Sequence, residues 1–128
     1  MADIFILGLG GFLGAILRYW LSGLGQNLAN TLNFPFGTLL VNLLGCLFIG
    51  LFSGLAEMRG LLDPQQRLFL LTGLLGALTT FSTFGLETLS LFEYGQSVAA
   101  ILNILANVVL GLAFVLLGKL SATWFWRF

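Results

Sequence analysis

Apolar positions along the chain gather into four long blocks, residues 4–21, 37–55, 68–91 and 97–117, separated by short polar stretches. A helix that crosses the hydrocarbon core needs roughly 20 mainly apolar residues, so each block predicts one transmembrane helix. The expected architecture is an all-α integral membrane protein, one four-helix transmembrane domain over residues 1–128. Residues 22–36 carry Asn27, Asn30, Asn33 and Pro35 and predict a loop or a short interfacial helix. Residues 56–67 hold Glu57, Arg59, Asp63 and Arg67. There Asp63 followed by Pro64 predicts a helix start, with Asp as N-cap and Pro at the first helical position.

The blocks differ inside. The first carries Gly10 and Gly14, the second Gly50 and Gly54, a four-residue glycine spacing that lets two helices approach closely. The centre of the third reads GLLGALTTFSTFG, with Thr79, Thr80, Ser82 and Thr83 among Gly73, Gly76 and Gly85. Hydroxyl side chains compete for backbone hydrogen bonds and glycine weakens a helix, so a break is expected near residues 77–82. In a bilayer such a break survives only where protein buries it or a wet cavity meets it. In the fourth block Ala99, Asn103, Asn107 and Gly111 recur every four residues and form one small, polar stripe.

Composition tells the same story. The chain is 59% hydrophobic and 8% charged, against about 25% charged in a soluble domain, so lipid must be its solvent. Formal net charge is zero with no basic cluster, which argues against a nucleic-acid partner. Histidine is absent and cysteine occurs once, Cys46, which leaves no intramolecular disulfide and no cysteine-based metal site. Cys46 reads as a small packing residue, and nothing suggests an enzyme. The N-terminal run lacks a basic n-region and is long and glycine-rich, so it is expected to be retained as the first span and not removed as a signal peptide.

Against this background the polar groups inside the spans stand out, because intramembrane polarity is costly and marks functional sites. Thr38 and Asn42 are four apart on one face of the second span. Thr80, Thr83, Phe84 and Glu87 share a face of the third if that part is helical. Amide and hydroxyl donors can replace water around an anion, and the rims of the Phe81 and Phe84 rings carry positive quadrupole. Arg18 can raise the local anion concentration. Each group also has a plainer reading: interhelical hydrogen bonds for Asn42, Asn103 and Asn107, packing for the phenylalanines, a snorkelling Arg18 and an interfacial charge for Glu87.

Three runs, GGFLGAILRY (10–19), FPFGTLLVNLLG (34–45) and GLLGALTTFSTFGLE (73–87), resemble the signature segments of the Fluc, or CrcB-type, fluoride channels. The resemblance covers spans one to three in detail and all four in length and order. It implies an antiparallel, dual-topology homodimer with two pores that passively export fluoride from the cytoplasm, in a cell membrane such as the bacterial inner membrane. By resemblance the pore residues are Asn42, Thr38, Phe81, Phe84, Ser82 and Thr83, and Arg18 and Glu87 belong to a vestibule. A structural Na⁺ at the dimer centre is implied, held by backbone carbonyls that by position are Gly76 and Thr79. The departures lie in the fourth span. There Asn103 and Asn107 stand where the family often has Tyr and Ser, keeping polarity while changing donor chemistry.

Charge placement sets a question. Arg59, Arg67, Lys119 and Arg127 fall on the side of the termini, against Arg18 on the other. The positive-inside rule biases such a chain toward a cytoplasmic N-terminus, whereas dual topology calls for little bias, so either the bias is weak or the chain pairs with a second subunit. The homodimer is the preferred reading. The alternative function is a small four-helix antiporter of the multidrug type, disfavoured because the first span offers Arg18 and no acid, and Glu87 lies late in the third. A purely structural subunit would have no use for the hydroxyl and phenylalanine cluster.

Overall fold

A computed structural model describes residues 1–28, 33–57 and 60–125; Asn30, Arg59 and Arg127 lie outside the described residues. Helix α1 is Ala2–Leu28 and α2 is Phe36–Glu57. The third span begins with α3 (Pro64–Arg67), widens into a π-helical stretch Leu68–Leu75, ends its first half with α4 (Gly76–Leu78), and resumes as α5 (Phe81–Glu93). The fourth is α6 (Ser97–Leu105), a π-helical turn Ala106–Leu110, and α7 (Gly111–Phe125). Among the described residues four helical runs, Ala2–Leu28, Phe36–Glu57, Pro64–Glu93 and Ser97–Trp124, are long and apolar enough to cross a membrane.

The ends of the spans follow local chemistry. Asp63 caps α3 as expected: Gln66 N–H donates to Asp63 Oδ1 at 2.8 Å and Asp63 N–H donates to Gln66 Oε1 at 3.0 Å, a reciprocal capping box with Pro64 in the first turn. Helix α5 stops at Gly95, whose φ of +73° suits glycine. Gln96 N–H reaches back to Leu91 O at 2.8 Å and Gly95 N–H to Phe92 O at 3.0 Å, the paired bonds of a Schellman stop.

One boundary departs from expectation. The stretch after Leu21, expected as a loop or short interfacial helix, continues α1 without interruption to Leu28. Its polar residues serve the hairpin instead of ending the helix. Gln26 Nε2 donates to Phe34 O at 3.3 Å, and Gly37 N–H donates to Gln26 Oε1 at 3.4 Å. Gly25 lies against Gly37 and Leu40.

The glycine pairs act as contact faces. A Cβ on Gly10 would lie 2.6 Å from Phe69 O, and one on Gly14 would collide with Leu74 O. Helix α1 therefore lies backbone to backbone on the first half of the third span. Gly50 and Gly118 make the same approach between α2 and α7, facing Val115 O and Leu47 O. A small apolar cluster of Val41, Leu75 and Leu78, flanked by Leu21, Phe52, Leu71 and Leu74, sits between these pairs.

Candidate functional site

The break falls midway along Pro64–Glu93, within the expected window. Thr79 (φ −83°, ψ 155°) and Thr80 (φ −148°, ψ 117°) are extended, so the backbone leaves the helix for two residues. Thr80 then caps α5, its hydroxyl accepting from Thr83 N–H at 3.2 Å. Extended backbone inside a membrane needs partners for its N–H and C=O groups. Asn42 on α2 supplies both for Thr80. Thr80 N–H donates to Asn42 Oδ1 at 2.9 Å, and Asn42 Nδ2 donates to Thr80 O at 3.3 Å. Gly45, one turn further along α2, leaves the space that the Thr79 methyl fills.

From Asn42 the polar contacts run on into the fourth span. Asn42 Nδ2 also donates to Asn107 Oδ1 at 2.8 Å. Asn107 Nδ2 donates to the backbone and side-chain oxygens of Asn103, each at 3.0 Å. Asn103, fully buried, donates from Nδ2 to Thr88 Oγ1 at 2.9 Å, and Thr88 Oγ1 donates to Phe84 O at 2.7 Å. The expected face of Thr38 and Asn42 on α2, and the stripe of Asn103 and Asn107, thus meet inside the bundle. Thr38 takes a separate partner, donating to Glu87 Oε1 at 2.7 Å. The other oxygen of Glu87 is buried with no hydrogen-bond partner among the described residues. A cleft of about 490 Å³ opens beside it, lined in part by Gln26, Phe34, Ser90 and Tyr94.

The start of α5 faces outward. Phe81 is 84% exposed, and Ser82 and Thr83 are exposed too, whereas Phe84 is buried. The two rings lie 5.5 Å apart, tilted by 56°. The hydroxyls of this turn interconnect, Thr80 Oγ1 lying 3.3 Å from Ser82 Oγ and donating to Thr83 Oγ1 at 3.0 Å. A cleft of about 310 Å³ beside them is lined by both rings, Asn42, Cys46, Thr79, Thr80 and Asn107, among others. Cys46, expected as a packing residue, is half-buried at its wall.

The break also releases carbonyls. In a continuous helix Gly76 O would accept from Thr80 N–H and Thr79 O from Thr83 N–H. Those donors go instead to Asn42 Oδ1 and Thr80 Oγ1. Neutral backbone oxygens so freed are hard donors suited to a small cation, and Gly76 is exposed, a Cβ added there meeting only Leu71 O at 3.9 Å. Among the described residues no group of His, Cys, Asp or Glu is placed to hold a metal.

Arg18 stands apart. It is half-buried on α1 and forms no ion pair among the described residues. Sequence reasoning missed two participants. Thr88, which anchors Asn103, carried a signal in its four-residue spacing from Phe84 on the buried side of α5. Gln26 carried none, since its partners are backbone groups across a hairpin. The two π-helical stretches were also unforeseen, as nothing in the local residue types distinguishes them from α-helix.

Comparison with known proteins places the chain in a family. Residues 5–119 match the family model described as CrcB-like protein, Camphor Resistance (CrcB). A protein of Methanosarcina acetivorans called fluoride-specific ion channel FluC 1 is 47% identical over 122 residues, covering 95% of this chain and 92% of the relative. The FluC of Methanococcus maripaludis is 46% identical, covering 98% of this chain and 100% of the relative. That of Nitratidesulfovibrio vulgaris is 49% identical, covering 92% and 94%. The chain belongs to the CrcB family and is a multi-pass membrane protein.

Proposed function

We propose that this chain forms a fluoride-selective channel whose conducting unit is two copies in opposite orientation, with two pores and a central structural Na⁺. Its family membership and relatives support the fluoride channel, a function that involves no enzymatic chemistry. The observation that carries the two-copy reading is the outward face of α5. Phe81, Ser82 and Thr83 are exposed beside a break at mid-span. In a lone chain these hydroxyls and the freed carbonyls of Gly76 and Thr79 would meet hydrocarbon, where unsatisfied polar groups are expensive. A second copy, inverted so that its own break lies against this one, would cover them and close the open-sided polar groove into a pore.

In that pore a fluoride ion exchanges tightly held water for hydroxyl donors from Ser82 and Thr83 and the ring edges of Phe81 and Phe84, beside Thr38 and Asn42, whose donors hold Glu87, Thr80 and Asn107 in place. On the fourth span Asn107 borders the groove, and Asn103, buried behind it, holds it in place. Glu87 and its cleft form the vestibule at one end, and Arg18 raises the local anion concentration there. A larger anion such as chloride is excluded by width. Gly76 O and Thr79 O of each copy would hold the Na⁺, which would supply fixed positive charge at the centre.

The test combines transport with orientation. Liposomes containing only this protein should release fluoride and retain chloride, without needing a pH gradient; a strict need for that gradient would favour the antiporter. Single-cysteine variants near Ser82, made after replacing Cys46, should crosslink in membranes with antiparallel geometry. A strictly parallel dimer, or a monomer that conducts, would overturn the two-copy reading.

A further inference from the structure

Hydrogen-bond direction from the break to the fourth span is dictated at both ends. Thr80 N–H can only donate, so the atom of Asn42 facing it must be Oδ1. That turns Asn42 Nδ2 toward Asn107, so the facing atom there must be Oδ1. Asn107 Nδ2 is then left for the Asn103 backbone carbonyl, which can only accept. Amide oxygens and nitrogens are ordinarily assigned from such networks, and this one admits a single orientation for each side chain. The hydrogens of Asn107 Nδ2 are used by the two oxygens of Asn103, and the pair on Asn42 Nδ2 by Asn107 Oδ1 and Thr80 O.

Asn107 lies within the π-helical turn Ala106–Leu110. A wide turn shifts the backbone donors that reach a carbonyl. Here Ala106 N–H and the Asn107 amide both donate to the carbonyl of Asn103. Asn103 is itself held by Thr88. The amide that Asn42 meets is therefore anchored to α5 on its far side.

We infer that Asn107 is a positioning residue: locked into the fourth-span turn by Asn103, it fixes the rotamer of the Asn42 amide and through it the backbone of the break at Thr80. This rests on the channel reading above and refines one part of it. Asn107 acts through Asn42, with no donor of its own left for a passing anion. Without an acceptor at position 107, Asn42 can turn its amide, and the Thr80 N–H loses its partner.

The experiment uses the full-length protein as its dimer, with two readouts. In the first, backbone hydrogen exchange is followed by NMR. Asn107→Val should speed exchange of the Thr80 amide by about tenfold or more, the loss of one buried hydrogen bond, while leaving amides at the α1 contact with the third span unchanged. In the second, fluoride efflux from liposomes is measured in a double-mutant cycle. Asn107→Val should lower efflux roughly tenfold in the parent and add no further loss to Asn42→Ala. Should Asn107→Val fail to form dimers, Thr88→Val, which frees Asn103, should speed Thr80 exchange to a smaller degree. Unchanged Thr80 exchange in the folded variant, or losses that multiply in Asn42→Ala/Asn107→Val, would overturn the inference. The exchange readout stands even if the parent moves no fluoride, an outcome that would instead sink the channel reading.

Discussion

The two halves of the third span are held by different means. Leu68–Leu78 lies against α1 so closely that Gly10, Gly14 and Gly73 have no room for a side chain. Phe81–Glu93 packs mainly on α6, leaves Phe81, Ser82, Thr83 and Leu86 exposed, and has open space at Gly85. The first half is satisfied within one chain by dry backbone contact. The second is satisfied by amides on its inner side, while on its outer side Phe81, Ser82 and Thr83 are exposed and the hydroxyls meet only Thr80 among the described residues. The lesson is that one span serves as both scaffold and site, and that the break allows it. Thr79 and Thr80 let the second half leave the helical path of the first, and Asn42 meets the backbone groups this exposes.

The largest effect should come from spoiling the dry half. Gly14→Val drives a branched side chain into Leu74 O, backbone that cannot swing aside, at a cost above ~3 kcal/mol. Folded dimer recovered by size-exclusion chromatography should fall to near zero. Gly8→Ala, with nothing within 4 Å of the added carbon, should give parent-like yield. Parent-like yield from Gly14→Val would show that this contact is looser than described.

Variants of the wet half should fold and fail to conduct. Asn42→Asp removes the donor to Thr80 O and Asn107 Oδ1, turns carboxylate oxygen toward both acceptors, and places negative charge beside an anion path. It should lower initial fluoride efflux by at least about 100-fold, more than Asn42→Ser. Phe81→Ile and Phe84→Ile keep apolar bulk and lose the positive ring edge, and each should cost roughly tenfold, while Phe114→Ile on the fourth span changes efflux little. Dimerisation of each variant is checked first. If all three site variants conduct like the parent while dimeric, the pore lies elsewhere.

A smaller and slower effect should follow sodium removal. Prolonged incubation of the protein in sodium-free buffer with a sodium-binding cryptand should lower subsequent fluoride efflux, with recovery on returning Na⁺. Full activity after such depletion would count against a cation at Gly76 O and Thr79 O.

How much of this was legible beforehand follows the same division. The dry half could be read because glycine spacing states close approach directly: Gly10 and Gly14, and Gly50 and Gly54, are contact positions. The break could be read because hydroxyls and glycines undermine a helix wherever they cluster. What could not be read was pairing. That Asn42 clasps Thr80, and that Asn107 reaches Asn42 across 65 residues of sequence, depends on helix rotation and on the π-helical turn, which residue types do not encode locally. The polar run 22–28 misled for the converse reason: Asn, Gly and Ser are common in turns, yet here Gln26 bonds the backbone of the next segment and α1 continues.

The smallest effect is expected at the end of the bundle where charge gathers. Lys119 Nζ lies 2.8 Å from Glu57 Oε2, with the side chains 48% and 58% exposed, and Arg67 donates to Leu62 O and Ala56 O. These contacts join α7 to the end of α2 and tie the charged connection to it, as the glycines join the dry half. Exposed ion pairs contribute little, because two long side chains must be held still and salt screens them. Lys119→Met and Glu57→Gln should each leave fluoride efflux within about twofold of the parent and lower the melting temperature by no more than about 3 °C. Raising salt should erase even that difference in stability. If either variant instead loses conduction on the scale of Phe81→Ile while remaining dimeric, then this end is coupled to the break, and the separation between a scaffold half and a conducting half does not hold.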